Sequence, residues 1–519
     1  MTVPSVAVKF GFYFQQPMIL RAAFALLFLF IFVMGCQKDP AQHEVLAQQH
    51  CGGCHLFPDP SLLPKTVWEK DVLPYMALRL GIDQDLKKIR KLNANDLKIK
   101  AAKPLISEED WQKIKGYYLG LAPKRLAPLA PFQKATLIEK QFEIRPLFSP
   151  IEQEMANVTC VRIDETNKGV YVADEVNKTV WLMDAEGKPV KRFGGQPAVS
   201  DLQFLDALHK NLLVTYIGES VKVTYNANGY AQTVNMGQKT ANNASLLLTK
   251  LYRPTQTLQQ DLDKDGQAEL ITCEFGVLEG KFSVWKKNTT GKYIPKVLSA
   301  APGALRTVVV DWNNDGLLDL MTLFAQGDEK IVLYLNKGNL NFEEKILLRF
   351  PPVFGSSYFD VVDINKDGRL DILYTCGDNA DYSVTFKPYH GLYLFENQGK
   401  EQLRQRYFYP IDGAYKVVPA DVDADGDLDM VSIAFYDDID TNPQTNVLYF
   451  ENQRGKFKPW SIPIGRMGRW LTLDAGDIDG DGDLDFALGS HPLGLTPGRM
   501  RGTWAHNGLM GVYLLNLRK

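Results

Sequence analysis

Five residues near the amino end, Cys51-Gly52-Gly53-Cys54-His55, form a C-x-x-C-H string. Two thiols at this spacing lie along one helical turn and can add across the two vinyl groups of a porphyrin. The histidine directly after them reaches the iron from one side, and this is the attachment pattern of c-type haem. A zinc site needs two more ligands at comparable spacing, and no second C-x-x-C or H-x-x-x-H follows. A redox dithiol of the thioredoxin kind belongs beside a βαβ pattern, whereas the flanks here read as helical. Cys51, Cys54 and His55 are therefore the expected haem-binding residues. A second axial ligand, often methionine, sets the potential of such iron. Met76 is the only methionine between Met34 and Met155. It is the first candidate, with His50 and His43 as alternatives and a plain core role as the competing reading.

A second chemistry recurs in the carboxyl-terminal half. A nine-residue acidic motif occurs five times, at Asp261–Glu269, Asp311–Asp319, Asp363–Asp371, Asp421–Asp429 and Asp477–Asp485, with spacings of 50, 52, 58 and 56 residues. Positions 1, 3, 5 and 9 carry oxygen donors: Asp261, Asp263, Asp265 and Glu269; Asp311, Asn313, Asp315 and Asp319; Asp363, Asn365, Asp367 and Asp371; Asp421, Asp423, Asp425 and Asp429; Asp477, Asp479, Asp481 and Asp485. Glycine at position 6 permits a sharp turn, and position 7 can offer its carbonyl. Six or more oxygens at flexible geometry suit Ca²⁺, whereas Mg²⁺ prefers strict octahedra and keeps its water. An EF-hand fails twice. Its position 12 should be Glu but reads Thr272, Thr322, Tyr374, Ser432 and Leu488, and the flanks are short β-rich runs, not helices. Up to five calcium ions are expected, with empty acidic turns as the plainer alternative.

The elements that must hold these residues divide the chain. Residues 1–35 read as an export signal: Lys9 and Arg21 are the only charges, and Ala22 to Met34 is an apolar run of 13 residues. That run is too short for a spanning helix, which needs about 20. It ends in Val33-Met34-Gly35-Cys36, which resembles a bacterial lipobox, and the resemblance implies that Cys36 carries lipid after cleavage. Residues 36–122 read as a small helical haem domain. Within it Ser107 caps a helix whose stripe is Trp111, Ile114, Tyr118 and Leu121. Residues 123–134 form a Pro-rich linker, semi-rigid and extended. Residues 135–519 read as short strands with turn signals. Their repeat period, roughly 54 residues, gives about seven units, two of them degenerate near 161–187 and 202–230. The tail strand from Gly511 to Leu517 is expected to pair with a strand around Ala135 to Ile144 and close the ring.

Six cysteines fit this division: Cys36 for lipid, Cys51 and Cys54 for haem, and Cys160, Cys273 and Cys376 as buried free thiols. The net charge of −3 argues against a nucleic-acid partner. Lys87, Lys88, Arg90, Lys91, Lys98, Lys100 and Lys103 are either a solvated face or a basic rim that steers an acidic redox partner.

The motifs carry resemblances. The string ending at Cys36 resembles a bacterial lipobox, and the following Gln37-Lys38-Asp39-Pro40 is similar to surface-exported lipoproteins of the Bacteroidetes type. The order of a helix running into C-x-x-C-H and a closing aromatic helix resembles class I cytochromes c, and the string around Met76 resembles the ligand-bearing segment of cytochromes fused to FG-GAP repeats. The five acidic loops resemble FG-GAP/VCBS repeats, as in integrin α-subunit propellers. The resemblances imply a multidomain chain: a small all-α cytochrome c domain, then an all-β, seven-bladed propeller stiffened by calcium.

The expected function is one-electron transfer by a membrane-anchored, extracytoplasmic cytochrome at the outer membrane or surface of a Gram-negative cell. The propeller is its docking or ligand-binding platform, and the partners are a redox protein, the membrane through lipid, or a glycan. Two alternatives stay open. One is a propeller oxidoreductase that uses the haem as electron outlet; the other is a surface glycan-binding or lyase-like propeller. The segment Ser490 to Asn507 either lines a pocket mouth or is an ordinary loop, and the Tyr436-Asp437-Asp438 loop is open in the same way.

Overall fold

The computed structural model describes residues 40–85, 87, 89, 96–129, 131–151, 155–194, 198–221, 224–237, 244–378, 385–492, 504 and 507–517. The expected export signal and Cys36 lie outside the described residues, as do Lys88, Arg90 and Lys91. Among the described residues no helix is long and apolar enough to cross a membrane.

Seven antiparallel sheets follow one another along the chain. Blades one to six span residues 158–194, 198–251, 254–299, 304–349, 356–410 and 414–461, and each keeps its strands in chain order. Blade seven holds Trp470–Gly476, Asp485–Ser490 and Leu509–Asn516, with Phe142–Phe148 as its outermost strand. The domain is a seven-bladed β-propeller, with the two units that lack acidic loops as blades one and two.

The strand sequences explain their places. The second strands Glu269–Glu274, Asp319–Phe324, Asp371–Cys376, Asp429–Ala434 and Asp485–Ser490 are buried at every residue. After the acid that opens each, they are predominantly apolar, because both faces pack against neighbouring blades. The outer strand Phe342–Arg349 (FEEKILLR) is mostly exposed or half-buried and carries charge. The core therefore lies between blades: Met321 and Leu333 of blade four pack with Phe359 and Tyr374 of blade five. Each such side chain contributes about 1.5–3 kcal/mol on burial. Inner strands of neighbouring blades are also stapled to each other. Arg162 Nε donates to Leu202 O at 3.0 Å and Arg306 Nε to Phe359 O at 2.9 Å.

Ring closure occurs with a shifted partner. Phe142–Phe148, not the stretch from Ala135 to Ile144, pairs antiparallel with Leu509–Asn516, placing Ile144 opposite Leu514. Phe142 and Leu147 bury their side chains here, whereas residues 132–137 are largely exposed. Pro146 is tolerated because the strand is an edge. Thr136–Leu137 instead pairs in parallel with Trp460 and Ser461 of blade six.

Ahead of the propeller lies a helical unit. Helix α1 spans Pro40–Cys51, α2 Leu73–Arg79 and α3 Glu108–Leu121. A further helical stretch, Lys65–Val67 continuing as the wider turn Trp68–Val72, leads into α2. Ser107 Oγ accepts the Asp110 amide at 3.0 Å and caps α3. Trp111, Ile114 and Tyr118 are buried as the stripe requires, but Leu121 is 61% exposed and Tyr117 takes its place. Leu121 is the last residue of the helix, beyond the reach of the core that α1 provides. Cys160, Cys273 and Cys376 are buried free thiols, as expected.

Candidate functional site

The C-x-x-C-H string forms the end of α1 and the turn after it. The Gly52 amide donates to Gln48 O at 2.9 Å. A Cβ at Gly52 would stand 2.6 Å from the Gln48 carbonyl oxygen, so only glycine fits this close approach. Cys51 is half-buried and Cys54 exposed, and both thiols are free. Burial pushes the Cys51 thiol up to about 11. His55 Nδ1 lies 3.0 Å from Leu56 O. A carbonyl at one ring nitrogen fixes the proton there and leaves the Nε2 lone pair available, the arrangement common in metal-ligating histidines. Burial also holds the His55 imidazole below its ordinary value, which keeps it neutral. Met76 and Cys51 pack against the same cluster of Trp68, Trp111, Ile114 and Tyr118. The donor set and its apolar surroundings fit a c-type haem. His50 and His43 lie on α1 itself.

The helical unit is seated on the propeller. The Tyr389 hydroxyl, between blade-five strands, lies 3.1 Å from Leu62 O and 3.4 Å from Val353 O. Val353 packs against the helical core cluster. The Arg349–Asp328 ion pair of blade four, at 2.6 Å, lies close enough to act on His55 electrostatically. The propeller residues among these lie at the face opposite the acidic loops, because each acidic loop joins the first strand of a blade to its second, and Asp328 and Tyr389 follow the second strand's far end.

The five acidic loops share one construction. The position-1 carboxylate accepts the position-6 glycine amide in every copy, at 3.0, 2.8, 2.8, 3.0 and 3.2 Å along the chain. Those glycines have φ between 81° and 96°, as the sharp turn demands. Position 4 is left-handed too, at Lys264, Asn314, Lys366, Ala424 and Gly480. The position-9 acid is fully buried, and its carboxylate reaches back to the amide of position 2, as in Trp312 to Asp319 at 3.0 Å and Val422 to Asp429 at 3.0 Å.

Oxygens converge and lack partners where a cation would sit. Carboxylates of Asp261, Asp263 and Asp265, of Asp421, Asp423 and Asp425, and of Asp477, Asp479 and Asp485 each lie within 4.8 Å of one another. Asp261 Oδ1, Asp263 Oδ1, Glu269 Oε1, Asp371 Oδ2 and Asp421 Oδ1 are buried without a hydrogen-bond partner. Burial pushes Asp371, Asp429 and Asp485 up to about 6, and neighbouring acids add to the effect. Orphaned oxygens with nearby like charges are what a Ca²⁺ ion would satisfy. In blades one and two the matching turns are self-satisfied: Asp206 accepts from the Leu208, Lys210 and Asn211 amides, and Asp164 from Asn167.

Two features escaped the sequence reading. Buried asparagines Asn336, Asn397, Asn452 and Asn516 each donate a main-chain amide to the position-9 acid of their blade, at 2.8, 2.8, 2.6 and 2.8 Å. Blade three has Lys287 at this place, and the residue before it, Lys286, reaches into the first acidic loop. The aligned residues in the other blades are Leu335, Glu396, Glu451 and Leu515.

Residues 311–374 and 434–488 match the family model described as FG-GAP-like repeat. The chain carries FG-GAP-like repeats. No curated protein matches the sequence. Among solved structures, the N-terminal domain of Nup159 aligns over 74% of this chain and 99% of its own, at 10% identity and TM-score 0.41. A luciferin-regenerating enzyme aligns over 72% and 96%, at 12% identity and TM-score 0.37. The β-propeller domain of Cps50 (Swd1) from Myceliophteria thermophila aligns over 70% and 97%, at 11% identity and TM-score 0.42. The FG-GAP-like match takes in the loops at Asp311–Asp319, Asp363–Asp371 and Asp477–Asp485.

Proposed function

We propose that the chain is an extracytoplasmic one-electron carrier of the c type, tethered by lipid on Cys36, whose FG-GAP-like propeller is a calcium-stiffened platform. The observation that carries the reading is the Cys51–His55 turn, where His55 Nδ1 faces the Leu56 carbonyl and Cys51 shares an apolar cluster with Met76. Haem, when bound, supplies outer-sphere electron transfer at iron.

The chain's own residues hold and isolate the group. Cys51 and Cys54 anchor it covalently, and the Gly52 contact with α1 fixes their spacing. His55 is presented as a neutral donor. Met76 and the aromatic cluster of Trp68, Trp111 and Tyr118 keep water from one side. The helical unit sits on the propeller face that carries the long loops, so a ligand or redox protein docked there stands on the same face as His55. This shared face favours the alternative in which the propeller presents a ligand, over a purely structural ring.

The test is the visible spectrum of protein purified from an export-competent host, oxidised and reduced, with a pyridine haemochrome assay. A covalent c-type chromophore is expected, lost in Cys51→Ala/Cys54→Ala. Met76→Ala should abolish the far-red band of His/Met iron and open the ferrous form to CO. A colourless wild-type protein would sink the reading.

A further inference from the structure

The position-9 acids Asp319 and Asp485 engage both oxygens. Asp319 Oδ2 accepts the Trp312 amide of its own loop, and its Oδ1 accepts the Asn336 amide. Asp485 repeats this with the Ile478 amide at 2.9 Å and the Asn516 amide. The asparagine side chains then differ from blade to blade. Asn397 Nδ2 donates to Leu370 O at 3.2 Å and Asn452 Nδ2 to Leu428 O at 2.9 Å, each inside its own blade. Asn336 Nδ2 reaches Leu318 O at 3.1 Å in blade four and crosses to Leu262 O of blade three at 2.9 Å. Asn516 Nδ2 crosses from blade seven to Val422 O of blade six at 2.8 Å.

Leu262 and Val422 hold position 2 of those neighbouring acidic loops. Their amides donate to the position-9 acids there, Glu269 Oε2 and Asp429 Oδ2, each at 3.0 Å. Two continuous relays result. One runs from Asp319 through Asn336 and Leu262 to Glu269. The other runs from Asp485 through Asn516 and Val422 to Asp429. Every residue of both relays is buried. Hydrogen bonds away from water act more strongly and polarise one another. Asparagine suits the junction because its side-chain amide donates to one blade while its main chain serves the other. Lys264 and Lys366 also cross to the next blade, at Gly316 O and Gly426 O, but both are exposed. Water and salt screen such contacts, so they add less than the buried relays.

A cation in one loop fixes its position-9 carboxylate and, through the relay, the position-2 main chain of the next loop. The second loop then has less to order, and its cation binds more tightly. Repulsion between the two cations works the other way. It is blunted by the loops' own acids, which are Asp261, Asp263, Asp265 and Glu269 in blade three and Asp311, Asp315 and Asp319 in blade four. We infer that the acidic loops of blades three and four, and those of blades six and seven, bind cations as coupled pairs, with Asn336 and Asn516 as the coupling residues. The inference rests on the calcium reading of the loops and is independent of haem.

The experiment uses terbium, a hard oxygen-seeking cation that stands in for calcium and is sensitised by nearby indole. Trp312 is position 2 of the blade-four loop, so its indole reports that loop, and Trp312→Phe identifies its signal. The metal-stripped full chain carries Lys286→Leu throughout, which removes the ammonium that reaches into the blade-three loop and lets both loops fill in one range. Disabling the blade-three loop with Asp261→Ala should raise the terbium midpoint of the blade-four loop about threefold or more, which is about 0.7 kcal/mol. With Asn336→Ala present, Asp261→Ala should leave that midpoint unmoved. Asn452→Ala loses bonds only within blade six, so it should preserve the threefold effect and separates coupling from plain loss of stability. The pair in blades six and seven is read by calorimetry, where Asn516→Ala should flatten the calcium isotherm and Asn452→Ala should not.

A blade-four midpoint that stays put or tightens with Asp261→Ala would overturn the coupling, whether or not Asn336→Ala folds. An effect that survives Asn336→Ala would remove the role of this residue, and equal isotherms for Asn516→Ala and Asn452→Ala would remove the second pair. No terbium signal together with no calcium found by elemental analysis would sink the calcium reading and the coupling with it. Cations bound independently would sink the coupling alone.

Discussion

Lys286 Nζ donates to Asp265 Oδ2 at 2.7 Å, while also reaching Asp263 and standing 3.8 Å from Glu269 Oε1. The ammonium places a positive charge on the outer oxygens of the first acidic loop. The inner oxygens, Asp261 Oδ1 and Asp263 Oδ1, still lack partners. The first loop therefore keeps its cation pocket but competes for it with a resident charge. We expect it to be the weakest of the five. Titration of metal-stripped protein should show a weak site that Lys286→Leu tightens about tenfold or more, or about 1.4 kcal/mol. Unchanged affinities in the variant would refute the competition.

The position-9 acids make calcium and pH interchangeable within a window. Asp371, Asp429 and Asp485 sit at about 6 in the folded chain, chiefly through burial, against an ordinary value of 3.8. The folded state holds these protons more tightly than the unfolded state. Their contribution to stability is complete below about pH 4 and is lost as pH rises through 6. A bound cation restores it at neutral pH. The gain in melting temperature on adding calcium to metal-stripped protein should accordingly grow from pH 5 to pH 7.5. Each site adds about 2.7 kcal/mol at a hundredfold excess over Kd. A calcium gain that stays flat across the window would count against this account.

Asn452 ties blade six together at three points. Its amide donates to Asp429, its Nδ2 to Leu428 O at 2.9 Å, and its Oδ1 accepts from Gly455 at 2.7 Å. Asn452→Ala keeps the first bond and strands the other two partners. A loss of about 1–3 kcal/mol is expected in denaturant unfolding. A change below a few tenths of a kcal/mol would mean that water replaces the side chain.

What the sequence made legible follows from what is local. The acidic motif packs donors, turn glycine and closing acid into nine residues, so Asp421 to Asp429 announces its chemistry unaided. The blade count follows from the spacing of such motifs. The asparagine ladder does not, because 336, 397, 452 and 516 fall at unequal distances and align only through strand register. Lys286 lies 17 residues beyond Glu269, across a hairpin, and nothing local ties the two. Arg469 likewise joins the Tyr436 and Ser490 segments from adjacent blades, its Nε donating to Phe435 O at 2.9 Å and its carbonyl accepting the His491 amide at 2.7 Å. Leu121 failed because a helical stripe says which face is apolar, not where the neighbouring core ends. The closing strand moved by several residues because edge pairing is fixed by side-chain burial at Phe142 and Leu147, which alternation alone locates loosely.

The seat of the helical unit can be tested directly at Tyr389 and Val353. Tyr389 stacks on Phe354 with centroids 4.6 Å apart and turns its hydroxyl to the Leu62 carbonyl. Val353 adds an apolar contact to the helical core. Tyr389→Phe removes one hydrogen bond, about 1 kcal/mol. Val353→Asp puts a charge against Trp68 and its neighbours and should release the unit outright. Limited proteolysis within the Pro-rich stretch 123–134 should quicken modestly in the first variant and strongly in the second, while the propeller's melting midpoint stays near that of the wild type. Cleavage at the wild-type rate in both variants would show that the helical unit is held by something other than this face.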